Sequence, residues 1–273
     1  MKINTYIIDA FTNQPFKGNP AAVCLLDNNI EAELMQLIAY ELNLSETAFL
    51  IPQEHDKNRF AIRYFSPAIE VPFCGHATLA SAKLVLEKLN RENVEFVTNN
   101  NLHINIKKIG NEILMKFPLF NTIAHKHNKD LNNALGIDTP LDVRYSEDMG
   151  IIIIQISDAT LLKELKPDIA LLKSTEDSIK AVVVTAKSID KEYDFYSRCF
   201  APWIGINEDP VTGSSHSILA KYWSDILGKT ELTAFQCSKR GGSMKLKITG
   251  PSEIEVTSNA MIVFEGSLII NSN

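Results

Sequence analysis

Two ten-residue stretches set half a chain apart limit what this 273-residue chain can fold into. Residues 60–69 read FAIRYFSPAI and residues 195–204 read FYSRCFAPWI. At this offset of 135, Phe60/Phe195, Arg63/Arg198, Phe65/Phe200, Pro67/Pro202 and Ile69/Ile204 are identical. Five matches in ten compare with roughly one in fifteen per position for unrelated sequence. Each copy runs on into a polar, glycine-containing turn and then a helical pattern: EVPFCGHATLASAKLVLEKL in the first, GINEDPVTGSSHSILAKYWSDIL in the second. Duplicated supersecondary units are expected to fold alike, so the chain reads as two similar halves, each presenting a turn and a helix start. Continued without a gap, the offset sets Cys74 opposite Asp209.

Hydrophobic periodicity agrees with a mixed fold. Strand-like runs fall at 5–8, 21–26, 48–51, 60–65, 102–107, 113–117, 151–156, 181–185, 195–200, 244–248, 254–256 and 260–268, many alternating apolar with polar as half-buried strands do. Helical patterns fall at 31–42, 75–89, 128–135, 159–165 and 215–227. The halves divide as 1–118 and 119–261, with the last strand, about 262–273, as the segment that would complete the first half. The polar stretch 121–140 (NTIAHKHNKDLNNALGIDTP) is the expected connection between them.

Charge and composition exclude several classes of function. The net charge is −6 and no dense Lys/Arg cluster occurs, so nucleic acid is not an expected partner. No apolar run approaches the ~20 residues that span a bilayer, and the start, MKINTYIIDAF, lacks a signal-peptide pattern; a cytoplasmic, non-membrane protein is expected. Cys24, Cys74, Cys199 and Cys237 are widely spaced and read as free thiols. His125 and His127 lack further ligands at usable spacing, and no HExxH, P-loop or GxGxxG motif is present. The expectation is chemistry without metal or other cofactor.

Three places hold groups suited to acid–base work. Glu46, in NLSETAFL, sits at the mouth of a strand just after a helix pattern ends; a single carboxylate there can take a C–H proton and return it elsewhere, or be a solvated turn residue. The segment FCGHATLAS offers Gly75, His76 and the amides of residues 75–78 at a helix start, a place that binds anions. Cys74, directly before that helix, would have a lowered pKa if the helix end acts on it, or be a small buried core residue. The segment EDPVTGSSHS supplies Asp209, Thr212, Gly213, Ser214 and Ser215 ahead of a second helix. Capping needs only one such side chain. Two helix starts facing one another would make a cleft suited to a small carboxylate-bearing substrate.

The segments DAFTNQPFKGNPAAV, NLSETAFL, RYFSPAIEVPFCGHATLASA, FAPWIGINEDPVTGSSH and RGGSMKLKI together resemble the PhzF (phenazine biosynthesis-like) family, in family order and over nearly the whole chain. The resemblance implies a diaminopimelate epimerase-like α/β (α+β) fold. Such a fold has two pseudo-symmetric halves, each a curved mixed sheet wrapped around a central helix, with the active site in the cleft between them. It implies a cofactor-independent isomerase of the kind that shifts a proton within dihydro-hydroxyanthranilate. Glu46 would be the proton carrier and His76, Asp209 and Ser214 its supports, with Asn19, Gly75, Gly213 and Ser215 in the substrate-binding set. It also implies a homodimer. Where the phenazine-pathway enzyme reads GHP, this chain reads CGHA, which leaves the substrate open between dihydro-hydroxyanthranilate-like and amino-acid-derived carboxylates. Two other readings stand beside it: an epimerase using Cys74 and Asp209, and a small-molecule-binding protein that kept the scaffold without turnover.

Overall fold

The computed structural model describes residues 1–176 and 178–270. The chain first forms β1 (Lys2–Ala10), β2 (Asn19–Leu25), α1 (Ala32–Leu42), β3 (Thr47–Gln53), β4 (Asp56–Phe65), β5 (Glu70–Val71), α2 (Gly75–Lys83), β6 (Asn93–Thr98), β7 (His103–Ile109) and β8 (Glu112–Pro118). It continues through β9 (Ile123–Ala124), α3 (Lys129–Leu135), β10 (Asp142–Ser146), β11 (Ile151–Gln155), α4 (Ala159–Glu164), α5 (Ile169–Lys173), β12 (Ala181–Lys187) and β13 (Phe195–Ala201). The remainder is β14 (Ile206–Asp209), α6 (His216–Leu227), β15 (Glu231–Gln236), β16 (Gly242–Ile248), β17 (Glu253–Ser258) and β18 (Ala260–Ile269). Two compact units result: Met1–Lys116 with the segment from Thr257 onward, and Phe117–Val256. Of the terminal segment 262–273, residues 271–273 lie outside the described residues.

Each unit is a mixed sheet built by the same sequence of pairings. In the first unit β1–β2 is antiparallel, β2–β3 parallel, β3–β4 antiparallel, β4–β6 parallel and β6–β7 antiparallel. In the second, β10–β11, β11–β12, β12–β13, β13–β15 and β15–β16 repeat those five senses in order. Parallel neighbours need a crossover, and here α1 and α2 serve the first unit as α4/α5 and α6 serve the second. β18 adds to the first sheet antiparallel to β1.

Helix α2 explains why the first sheet curves. Every residue from His76 to Ala82 is buried, so this stretch has no solvent face, and β1, β2, β3 and β18 pack against the helix. Its sequence, GHATLASAK, is rich in Ala, Ser and Gly, whose small side chains let backbone approach closely. Tyr64 on β4 fixes the helix by sharing a 2.5 Å hydrogen bond with Thr78. Helix α1 is different: Met35, Ile38 and Ala39 are buried against Ile3, Phe49 and Phe65, while Leu37 and Tyr40 face outward. Helix α6 buries His216–Ala220 with Tyr222 and Trp223. Trp223 lies parallel to Phe195 at 5.5 Å and donates to Thr185 Oγ1 at 2.9 Å.

The repeat does not run on without a gap. Four residues (66–69) separate Phe65 from Glu70, but seven (201–207) separate Phe200 from Glu208. The extra three form the 3-10 turn Pro202–Ile204, closed by Gly205 at φ 87°. Strand register fixes the equivalence: Tyr64 pairs with Val71, and its counterpart Cys199 pairs with Asp209. Arg63 grips Glu70 with two hydrogen bonds of 2.8 Å, and Arg198 grips Glu208 in the same way at 2.7 and 3.0 Å. Asp209 therefore holds the place of Val71, and beyond it Pro72/Pro210 and Gly75/Gly213 coincide. The residue matched with Cys74 is Thr212, and Ser214 is matched with His76. The expected pairing of Cys74 with Asp209 is corrected by three residues.

The stretch 121–140 is also not a connection between units. It lies wholly within the second, where Leu131, Ala134, Leu135 and Ile137 join the core beside Val143, Ile152 and Leu162. Asn128 caps α3 by accepting from the amides of Asp130 and Leu131.

The two ion pairs differ in depth. Arg198 is 8% exposed and donates further to the Leu162 and Leu165 carbonyls, whereas Glu70 is exposed. Glu208→Ala strands a buried guanidinium and is expected to cost about 3 kcal/mol; Glu70→Ala is expected to cost about 1 kcal/mol or less. Urea denaturation of the two variants checks this, and equal losses would contradict it.

Candidate active site

Two chain turns of the first unit bring the candidate groups together. Helix α1 ends at Leu42, and Asn43, in the left-handed region at φ 49°, returns its amide to the Ala39 carbonyl. Leu44, Ser45 and Glu46 then lead into β3. The Glu46 carbonyl accepts from the Ala22 amide at 3.2 Å, so parallel pairing with β2 fixes the backbone at this point. From the other side, Cys74 is the extended N-cap residue of α2 and His76 its second helical residue. Because α2 is sheathed by strands, its first turn is where functional groups can gather.

His76 is the hub. Its Nε2 lies 3.2 Å from Glu46 Oε2 and 3.2 Å from Ser45 Oγ, and its Nδ1 lies 3.4 Å from Cys74 Sγ. The side chains of His76 and Glu46 are 9% and 15% exposed, and Cys74 is buried, so these groups interact at reduced dielectric. Burial pushes the Glu46 carboxyl up, but the hydrogen bond and charge of His76, with hydrogen bonds from Ser45 and Cys74, outweigh it. The carboxyl is held below its usual range. Burial likewise pushes His76 down, and its neighbours Cys74 and Glu46 outweigh that, holding the imidazole well above its ordinary value. Burial raises the Cys74 thiol, with Glu46 adding to the rise and His76 opposing it. Contact within the cluster thus holds Glu46 toward the carboxylate and His76 toward the imidazolium, while desolvation holds the Cys74 thiol up. Of the two readings of Cys74, a thiol lowered at a helix start and a small buried residue, the structure favours the buried one: desolvation raises its pKa.

The helix start itself is narrower than expected. The Thr78 amide closes the first turn onto the Cys74 carbonyl at 3.0 Å, and the Thr78 hydroxyl donates to the same oxygen at 2.7 Å. The amides of Gly75, His76 and Ala77 lie ahead of that closure, at the positive end of the helix dipole.

In the second unit, the turn from Asp209 to His216 is laced by its own hydrogen bonds. Thr212 Oγ1 donates to Asp209 Oδ2 at 2.5 Å, Gln236 Oε1 accepts from the Thr212 amide at 2.9 Å, and Gln236 Nε2 donates to the Asp209 carbonyl at 2.7 Å. Ser215 is buried and donates to the Thr212 carbonyl at 2.9 Å, so its hydroxyl holds the turn. His216 Nδ1 meets the same carbonyl at 2.8 Å. Burial pushes His216 down to about 4, with the Thr212 bond opposing; it is a neutral imidazole with Nδ1–H as donor. Ser214 is half-buried. Asn19, also named from sequence, opens β2 opposite Ala10 and is fully buried. Gly18 before it, at φ 65°, has no room for a Cβ, which would overlap the Ala10 carbonyl oxygen.

Glu46, Cys74 and His76 thus meet, while Asp209, Gly213, Ser214 and Ser215 share a turn of the second unit. Sequence reasoning missed Ser45, Gln236 and His216. Ser45 stands next to Glu46 in the quoted motif and His216 ends another, so adjacency was the available signal; Gln236 arrives from a distant strand and left none.

Comparison with known proteins gives concordant results. The model of the phenazine biosynthesis-like protein family matches residues 8–266. The chain is 43% identical to an uncharacterised isomerase of Halalkalibacterium halodurans, over 89% of this chain and 90% of that protein. It superposes on the crystal structure of a PhzF-family phenazine biosynthesis protein from Enterococcus faecalis with a TM-score of 0.91 and 32% identity, covering 99% of this chain and 100% of that one. A hydroxyproline epimerase from Agrobacterium vitis shares the fold, with a TM-score of 0.60 at 11% identity over 98% of this chain and 92% of that one. The fold is the epimerase-like α+β class that the family resemblance implies.

The charge state has a measurable consequence. A histidine raised in the folded state contributes stability in full below the ordinary value of about 6.5, and loses it as pH rises through the raised value. A lowered carboxylate contributes above its ordinary value and loses it as pH falls through the folded one. ¹⁵N NMR of the His76 ring is expected to show an imidazole that titrates above the ordinary histidine value in the wild type and lower in both Cys74→Ser and Glu46→Gln. A wild-type His76 that titrates at or below the ordinary value contradicts the assignment.

Proposed function

The chain belongs to the phenazine biosynthesis-like protein family, and from that premise we propose that it is a cofactor-independent isomerase moving a proton within a small carboxylate-bearing molecule. The observation that carries the reading is the Glu46 carboxylate: ionised, slightly open to solvent, and held by His76 and Ser45 at the start of a buried helix.

In this reading Glu46 removes a proton from a carbon activated by a neighbouring alkene, imine or carbonyl. The electron pair moves into that π-system. The His76 imidazolium and the leading amides of α2 offset the negative charge as it develops. Once protonated, Glu46 returns the proton to a second carbon on the same face, and the carboxylate–imidazolium pair re-forms. One base suffices for such a shift. Inversion at a single carbon instead calls for groups on both faces. The internal register sets Thr212 in the place of Cys74, so the repeat supplies no second thiol for an epimerase of that kind. Asp209 and Ser214 belong to the proposal as substrate-contacting groups on the grounds of the sequence motif. The substrate class is a dihydro-hydroxyanthranilate-like or amino-acid-derived carboxylate.

Proton NMR in D2O with a panel of unsaturated and amino-acid carboxylates tests the reading. Wild type is expected to wash out a C–H signal, and Glu46→Gln to slow the exchange by at least about 100-fold, the usual weight of general acid–base catalysis. Ligand affinity in the variant should change little. Ligands that bind without any exchange in the wild type would favour the non-catalytic binding protein instead.

A further inference from the structure

The cluster that carries the proposed proton transfer has a second chemical property. Among the described residues, Glu46, Cys74 and His76 are the set of three His, Cys, Asp or Glu side chains whose ligand atoms all lie within 4.8 Å of one another. His76 Nε2 stands 3.2 Å from Glu46 Oε2 and 3.9 Å from Cys74 Sγ. A tetrahedral zinc ion, about 2.0–2.1 Å from nitrogen and oxygen and about 2.3 Å from sulfur, sets its ligands about 3.3–3.6 Å apart. The His76–Glu46 edge already fits; Cys74 Sγ lies nearer His76 Nδ1, at 3.4 Å, so the Cys74 side chain has to turn toward Nε2 to complete the set.

We propose that Glu46, Cys74 and His76 form an inhibitory binding site for a thiophilic divalent cation such as zinc. The donor set decides the class of ion. One thiolate, one imidazole and one carboxylate suit zinc, cadmium or cobalt(II), whereas magnesium and calcium prefer six or more oxygens. Cys74 and His76 are buried and Glu46 is the more open of the three, so three protein ligands form one side and the fourth position is left for water. Binding breaks the Cys74 S–H bond and one imidazolium N–H bond and forms metal–sulfur, metal–nitrogen and metal–oxygen bonds. Two protons leave to solvent and no atom changes oxidation state. The ion then occupies the lone pair that Glu46 needs as a base, so proton transfer stops. Metal binding stands on the geometry alone; the inhibitory part rests on the isomerase reading.

Spacing alone does not reveal this site. Cys74 and His76 are two residues apart and Glu46 lies 28 residues earlier, a pattern unlike the paired CxxC or HxxxH of structural and catalytic zinc sites. The link is made by the strand entry and the helix start that face each other in the first unit.

Cobalt(II) titration of the full chain under reducing conditions tests the proposal, because a cobalt–thiolate bond gives a charge-transfer band that carboxylate or imidazole alone does not. One equivalent is expected to develop the band in the wild type. Cys74→Ser should lose it and weaken binding by more than about 100-fold, and Glu46→Gln should keep it while weakening binding at least tenfold. Circular dichroism checks that the variants fold, and Cys237→Ser, which alters the most accessible of the other thiols, should behave as wild type. Absence of the band in the wild type, its persistence in Cys74→Ser, or unchanged affinity in Glu46→Gln overturns the site. Zinc should block C–H exchange in the wild type over the same concentration range in which it displaces cobalt from the site. If no exchange exists to block, the isomerase reading falls while the cobalt band still stands; exchange untouched by zinc with no cobalt band sinks the metal site alone.

Discussion

Burial of α2 on every side is the constraint from which the rest of the first unit follows. A helix without a solvent face must be covered by its neighbours, here β1, β2, β3 and β18, which bends the sheet and leaves the helix start as the place where polar groups can collect. Cys74 and His76 occupy that start. Glu46 reaches it because β3 runs parallel to β2, and a parallel neighbour returns through a crossover helix to the same end of the sheet. The curved sheet and the meeting of Glu46 with His76 are thus one geometric fact.

What the meeting produces is a charged pair in a place where single charges are costly. An isolated carboxylate or imidazole at this depth would be driven neutral by desolvation. Together they hold each other ionised, with Ser45 and Cys74 completing the hydrogen bonding. In the proposed reading the arrangement keeps a base ready in its reactive form and sets a positive partner where charge would develop as the proton is taken. Burial raises the Cys74 thiol, with His76 opposing the rise.

Much of this was legible in the sequence, for identifiable reasons. Arg63 and Arg198 stood out in the repeat because each grips a glutamate on the following strand, a pairing that two similarly built sheets both require. Glu46 stood out as a carboxylate at the mouth of a strand and His76 as a histidine at a helix start, each by itself; that they meet is visible only in the fold. The three-residue slip was hidden because Pro202–Ile204 adds a tight turn without disturbing the apolar pattern on either side. Strands β6, β10 and β15 went unread although β6 and β15 alternate buried and less buried positions; their charged and polar residues diluted a short signal. The pKa of Cys74 could not be read at all, since proximity to a helix end is visible in sequence and depth is not. For the same reason 121–140 looked like a linker: most of it is polar, and the four residues that anchor it in the core fall within 131–137.

The central claim is that Glu46, charged by its pairing with His76, is the base, and that Cys74 is not. The most direct measurement is the pH dependence of kcat/KM for C–H exchange in wild type and Cys74→Ser. The account predicts a bell whose acid limb lies below the ordinary carboxylate range and whose alkaline limb lies above the ordinary histidine value, with the bell retained in Cys74→Ser. A rate that climbs with thiol ionisation at alkaline pH and vanishes in Cys74→Ser would contradict it.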